Sequence, residues 1–168
     1  MFNTRRVRLL FFALFAISII LPLYLYPQLP YRIASHFGVN NKADNWTNKS
    51  SYIIMHYALI LSISSLFYGL AHFIHKLPSS LMNLPHKAYW LSEDRKNKAY
   101  CILQGMLYWI GSLCLLLFLY VFIQVYKANV NGTYKLDNFS WFAVIIFLFG
   151  NGIILLRYIS FFNNKETN

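Results

Sequence analysis

The chain has 168 residues, of which 58% are hydrophobic and only 12% charged, and its formal net charge is +10. A soluble domain of this length needs far more polar residues to cover its surface, so the composition excludes an ordinary water-soluble fold. The basic excess would point to nucleic acid in a soluble protein, but most Lys and Arg residues flank apolar blocks, where membrane-topology signals belong. Nucleic acid is therefore set aside as a partner, and membrane lipid is the expected solvent.

The first apolar block, 9–26, follows Arg5, Arg6 and Arg8. A basic start and an apolar centre are also the marks of a secretory signal, yet no small-x-small cleavage site follows; the chain continues Tyr26-Pro27-Gln28-Leu29-Pro30-Tyr31. About 18 apolar residues just span a hydrocarbon core. The block reads as a retained anchor helix, with Pro22 tolerated near its outer end. Three more blocks follow at 52–74, 100–126 and 139–162, each uncharged through its centre, and Arg157 is placed to snorkel from the last turn of the fourth. The prediction is an all-α polytopic protein, a four-transmembrane-helix bundle forming a single membrane domain over 1–168.

Orientation follows from the Lys and Arg residues of the connections. With the N-terminus inside, Arg5, Arg6, Arg8, Lys76, Lys87, Arg95, Lys96, Lys98, Arg157 and Lys165 are cytoplasmic, against Arg32, Lys42, Lys49, Lys127 and Lys135 outside. Ten against five predicts both ends on the cytoplasmic side. An outer loop then covers 27–51 and an inner loop 76–99. Within the inner loop Ser92 has the chemistry of an N-cap, and Glu93 and Asp94 suit the positive end of a helix dipole, so the third helix is expected to begin about two turns before it enters lipid. Cys101 and Cys114 both fall in that helix, roughly 20 Å apart along its axis, too far for a disulfide.

The outer loop reads Leu29-Pro30-Tyr31-Arg32-Ile33-Ala34-Ser35-His36-Phe37, then Asp44-Asn45-Trp46 and Lys49. This run resembles the hallmark of a bacterial membrane-domain family of unknown function shared with the sporulation-delay toxin immunity proteins. It matches at Leu29, Pro30, Ile33, His36, Phe37, Asp44, Trp46 and Lys49. It departs at Ala34, where that family usually has a second Pro, and at Asn41, where Gly is usual; Asn tolerates the left-handed backbone a Gly would supply. The inner run Asn83-Leu84-Pro85-His86-Lys87-Ala88-Tyr89-Trp90-Leu91 resembles a second motif of a subgroup. The resemblance implies a bacterial cytoplasmic (inner) membrane location and a loop that meets a peptide toxin or another membrane protein.

The candidate binding residues are accordingly His36, Phe37, Asp44, Trp46 and Lys49, with Asn83, Pro85, Lys87, Tyr89 and Trp90 as the inner motif. His36 and Asp44 have three readings: bonding to loop backbone, docking a partner, or, with His56, holding zinc. His72 and His75 share a helix face, and the simplest reading gives them no ligand. Tyr89 and Trp90, with Lys87, suit the headgroup region. Gln104 and Asn151 are polar side chains within spans; Asn151, between Gly150 and Gly152, is expected to face another helix as packing glue. No nucleophile–base pair, phosphate loop or paired carboxylates appear, and no cofactor or metal is called for. The leading reading is a non-enzymatic membrane interaction protein; the others are an accessory subunit of a larger complex and a metal-dependent membrane enzyme.

Overall fold

The computed structural model describes residues 3–164, so Lys165 of the charge count lies outside the described residues. Four long helices carry the fold: α1 (Thr4–Leu25), α2 (Lys49–Phe73), α4 (Lys96–Val130) and α5 (Ser140–Asn163). Each is long and apolar enough to cross a membrane. In hydrocarbon every backbone N–H and C=O must be paired within its own segment, which is why such runs become helices. The expected spans are therefore found, with shifted ends. In the third, the block 100–126 lies within a helix from Lys96 to Val130; a start ahead of the block was expected, and the run beyond Tyr126 was not. The 35 residues of this helix measure about 52 Å, well beyond a hydrocarbon core of about 30 Å, so it projects past the bilayer.

α4 is the central element; α1, α2 and α5 pack around it, and α1 and α2 touch one another lightly. Val7 and Phe11 of α1, Ile60 and Ala71 of α2, and Tyr108 and Leu115 of α4 form the main core cluster. Of the glycines, Gly111 has the closest neighbours: an added Cβ would lie 2.8 Å from Phe11 and 3.0 Å from Phe67. Three helices approach there because no side chain separates them. Pro22 lies inside α1 and is buried. α5 packs principally on α4, and Tyr158 and Phe162 are its buried residues. The outward faces carry large apolar side chains, among them Ile20, Ile54, Phe149 and Leu156, the inverse of a soluble surface.

Two sequence expectations need correction. The all-α expectation fails in the outer loop, which contains an antiparallel hairpin, β1 (Arg32–Phe37) and β2 (Ala43–Asn48), so the protein is mostly helical with one small sheet. Ser92 does not cap α4 either. The residue preceding α4 is Arg95, and the Ser92 hydroxyl donates back to the Tyr89 carbonyl at 3.0 Å while its own carbonyl accepts the Arg95 and Lys96 N–H groups. Ser92 thus closes the turn after a short helix α3 (Lys87–Trp90). Cys101 and Cys114 are both free and both on α4, as their spacing predicts.

Candidate functional site

The hairpin turn explains the departure at Asn41. Asn41 has φ 61°, and the bonds Asn41 N–H to Gly38 O and Gly38 N–H to Lys42 O, each 2.9 Å, enclose a three-residue loop with its left-handed residue last. That loop combines a tight turn with a bulge, and Asn occupies the left-handed position in place of Gly. The register pairs Ala34 with Trp46, His36 with Asn45 and Phe37 with Ala43. One residue is therefore extra on each strand, Ser35 on β1 and Asp44 on β2. Such bulges re-aim side chains. Here His36 Nδ1 and Asp44 Oδ1 meet diagonally across the strands at 2.5 Å. None of the three readings of the pair included this direct bond between the two side chains.

The underside of the hairpin is apolar and fixed. Leu29 and Ile33 are buried with Ile53 of α2 and Phe122 and Val125 of α4, and Phe37 and Leu136 pack against them. Above this plug, Asn129 acts as a substitute strand. Its Oδ1 accepts the Ala34 N–H at 2.8 Å, and its Nδ2 donates to the Ala34 carbonyl at 3.0 Å and to Val125 O at 2.8 Å. The α4–α5 connection closes the other side. Ala43 N–H donates to Tyr134 O and Leu136 N–H to Asn41 O, both at 2.9 Å, with a bridge between Lys42 and Lys135.

The candidate residues thus divide. Phe37 is half-buried in the plug, and Lys49 starts α2 with its Nζ 3.4 Å from Leu29 O and 4.7 Å over the Tyr26 ring. Both hold the cap in place. His36, Asp44 and Trp46 remain outside it: the first two side chains are 70% and 50% exposed, and Trp46 is 42% exposed. Neighbouring Tyr31 and Val39 are exposed as well. The cap is held from below and offers a hydrogen-bonded His36–Asp44 couple and apolar side chains above.

The histidines of the metal reading are not assembled. His56 is buried with Nε2 3.2 Å from the Ser18 carbonyl of α1, its ring 4.8 Å from that of Phe122. Among the described residues no three His, Cys, Asp or Glu side chains come together as a metal site. His72 and His75 have ring centroids 6.3 Å apart at the other end of α2.

The inner motif folds differently from its headgroup reading. Trp90 is 1% exposed, and its indole N–H donates to Phe162 O at 2.7 Å with Phe161 and Phe162 against the ring. That carbonyl belongs to the last turn of α5, where backbone acceptors lack helical partners, so the indole closes a helix end. Lys87 and Tyr89 belong to the same short helix, the Arg95 guanidinium lies 4.3 Å over the Tyr89 ring, and Pro85 is partly covered while Asn83 is exposed. Gln104 Nε2 donates to Ala71 O of α2 at 2.9 Å, a cross-helix tie. Asn151 makes none: its Nδ2 donates to Phe147 O of its own helix at 2.8 Å, and its Oδ1 is buried without a partner. Of its flanking glycines, Gly150 faces Leu113 closely and Gly152 faces open space.

Asn129 is the residue that reading the sequence missed. A third span ending at Tyr126 left it in a connection, and its signal was an amide one turn beyond Val125 ahead of Asn131-Gly132.

In comparisons with known proteins, the profile of a domain of unknown function (DUF1648) matches residues 13–61. That stretch takes in most of α1, the whole hairpin and the first half of α2. No curated protein and no solved structure matches the chain.

Proposed function

We propose that the chain is a membrane-embedded binding protein that presents the hairpin as a docking head to a peptide or to another membrane protein. The observation that carries this reading is the division within the hairpin. Asn129, Phe37 and Lys49 hold it down, while His36, Asp44 and Trp46 are left accessible on a rigid frame. A preformed surface binds without the entropic cost of ordering a loop. The excess of Lys and Arg at the opposite end supports placing both termini in the cytoplasm and the head outside, in a bacterial cytoplasmic membrane. A peptide toxin is the finer form of the same reading, resting on the outer-loop motif alone. The alternative, an accessory subunit, draws support from α5, whose flank away from α4 is apolar and exposed.

The test is photocrosslinking in intact cells from a photoreactive residue placed at Trp46, with one at Ser80 as the control. The expected result is a discrete peptide or protein adduct from position 46, lost when His36→Ala and Asp44→Ala are combined in a chain that still melts at the wild-type temperature. Lipid adducts alone from position 46 would refute a docking head. Loss of the adduct in step with loss of thermal stability would assign the pair to the cap's own structure.

A further inference from the structure

Three cavities line up along the α4–α5 seam on the hairpin side. The deepest, about 450 Å³, is walled by Leu113, Leu117, Phe142, Ala143 and Ile146, among other apolar side chains. It shares Tyr120 with a middle cavity of about 180 Å³, reached by Gln124, Ser140 and Trp141. The middle one shares Gln124 and Leu136 with a third of about 400 Å³ that includes Lys127, Lys135 and Asp137. The lining thus changes from almost entirely apolar, with Tyr120 at its edge, through single polar groups, to two lysines beside Asp137. At the middle level Gln124 donates to the Tyr120 hydroxyl at 2.9 Å, and the Ser140 Oγ is buried without a hydrogen-bond partner. At the mouth Asp137 Oδ1 accepts the Phe139 N–H at 3.0 Å, so its carboxylate is engaged at the start of α5. Among the described residues neither Lys127 nor Lys135 is in an ion pair.

The dimensions select the occupant. Leu113 lies against Gly150, at the midpoint of α5. From Leu113 to Lys127 is fourteen residues of α4, about 21 Å. Half of a bilayer, from midplane to the outside of the headgroups, is also about 20–22 Å. We propose that this seam is a binding site for one anionic phospholipid of the leaflet on the hairpin side. One of its two acyl chains lies along Leu117, Phe142 and Ile146, its ester region meets Gln124 and Ser140, and its phosphate meets Lys127 and Lys135. Lysine serves phosphate as a point charge, and basic pockets between membrane helices hold lipid headgroups.

The experiment is native mass spectrometry of the purified full chain in mild detergent, titrated with phosphatidylglycerol or phosphatidylcholine. The wild type is expected to retain a single phosphatidylglycerol in preference to phosphatidylcholine. Lys127→Gln with Lys135→Gln should weaken phosphatidylglycerol at least tenfold and remove the preference. Ala143→Phe and, separately, Ile146→Trp fill the apolar part and should weaken both lipids, while Arg32→Gln, on the hairpin outside the seam, should change neither. Far-ultraviolet circular dichroism and thermal melts select folded variants, and the lysine variants, changed only at the surface, carry the test if a filled groove does not fold. Failure of the wild type to retain lipid, equal weakening by Arg32→Gln, or unchanged lipid binding in folded groove-filling variants would each overturn the site. So would a dimer in place of the lipid-bound monomer that Ala143→Phe dissociates, because the seam would then receive a second copy of the chain.

Discussion

Replacing Asn129 by Leu tests whether the hairpin is held by one side-chain amide. Leu is close to Asn in size, so the packing against α4 changes little, while the bonds to Ala34 N–H and C=O are lost. Ala34 is 0% exposed, and both groups would be orphaned away from water. At about 1–3 kcal/mol for each buried unsatisfied group, the closed cap would lose about 2–6 kcal/mol. The hairpin can relieve this by opening, so the lower figure is the firmer expectation. About 2 kcal/mol corresponds to roughly a thirtyfold rise in amide exchange wherever opening controls exchange. The assay is hydrogen–deuterium exchange in detergent, read on the peptide that covers 29–37. Asn131→Leu, an exposed substitution two residues away, is the control and should leave exchange unchanged. Exchange within twofold of wild type in a folded Asn129→Leu chain would refute the reasoning.

The topology predicts that a cysteine at Asn40, with Cys101 and Cys114 replaced, reacts with an impermeant thiol reagent in intact cells; one at Ser80 should react only after permeabilisation, and the reverse pattern would invert the orientation. Gly111→Val should destabilise the bundle by about 1–3 kcal/mol through overpacking against Phe11 and Phe67, seen as a lower melting temperature. Gly69→Ala, which meets nothing within 4 Å, should not. Trp90→Phe keeps an aromatic ring but removes the bond to Phe162 O, at a cost of about 1 kcal/mol. That loss is expected as faster proteolysis of residues 160–164, and an unchanged cleavage rate would deny the indole its role.

The helices were legible because a bilayer imposes a minimum apolar length, and α1, α2, α4 and α5 all satisfy it. Their ends were not. Lys127 resembles a membrane edge, yet α4 runs on to Val130, its final turn protected by the cap above. The hairpin was concealed for a related reason. β2 reads Ala-Asp-Asn-Trp-Thr-Asn and carries no apolar alternation, since no sheet or helix covers its outer face. The left-handed position at Asn41 was readable from the resembling motif, which usually has Gly there, and the structure places it there. Trp90 was misread because the carbonyl it serves lies 72 residues away. At Ala34, the departure from the resembling motif has a physical counterpart: its N–H donates to Asn129, which a proline could not do.

These long-distance ties have one chemistry. Lipid tails are as apolar as the helices, so burial of side chains alone gives helices little reason to prefer protein over lipid. What remains is close packing and hydrogen bonding, and here the bonds run from side chains to backbone carbonyls of another element. His56 and Tyr57 of α2 reach Ser18 and Ile19 of α1; Gln104 of α4 reaches Ala71 of α2; Trp90 reaches Phe162 of α5. The Ser18 carbonyl would meet Pro22, which has no N–H, and Phe162 lies in the last turn of α5, so those two ties fill vacant acceptors, while a carbonyl already bonded within its helix still has a second lone pair to offer. Asn129 extends the same device beyond the bundle, from a helix to a strand. Asn151 lacks such a tie, because the helix it stands on has α4 as its main neighbour and its amide turns back on Phe147. The hairpin end is therefore built from the inside outward: α4 positions Asn129, Asn129 fixes β1, and β1 holds His36 where β2 brings Asp44.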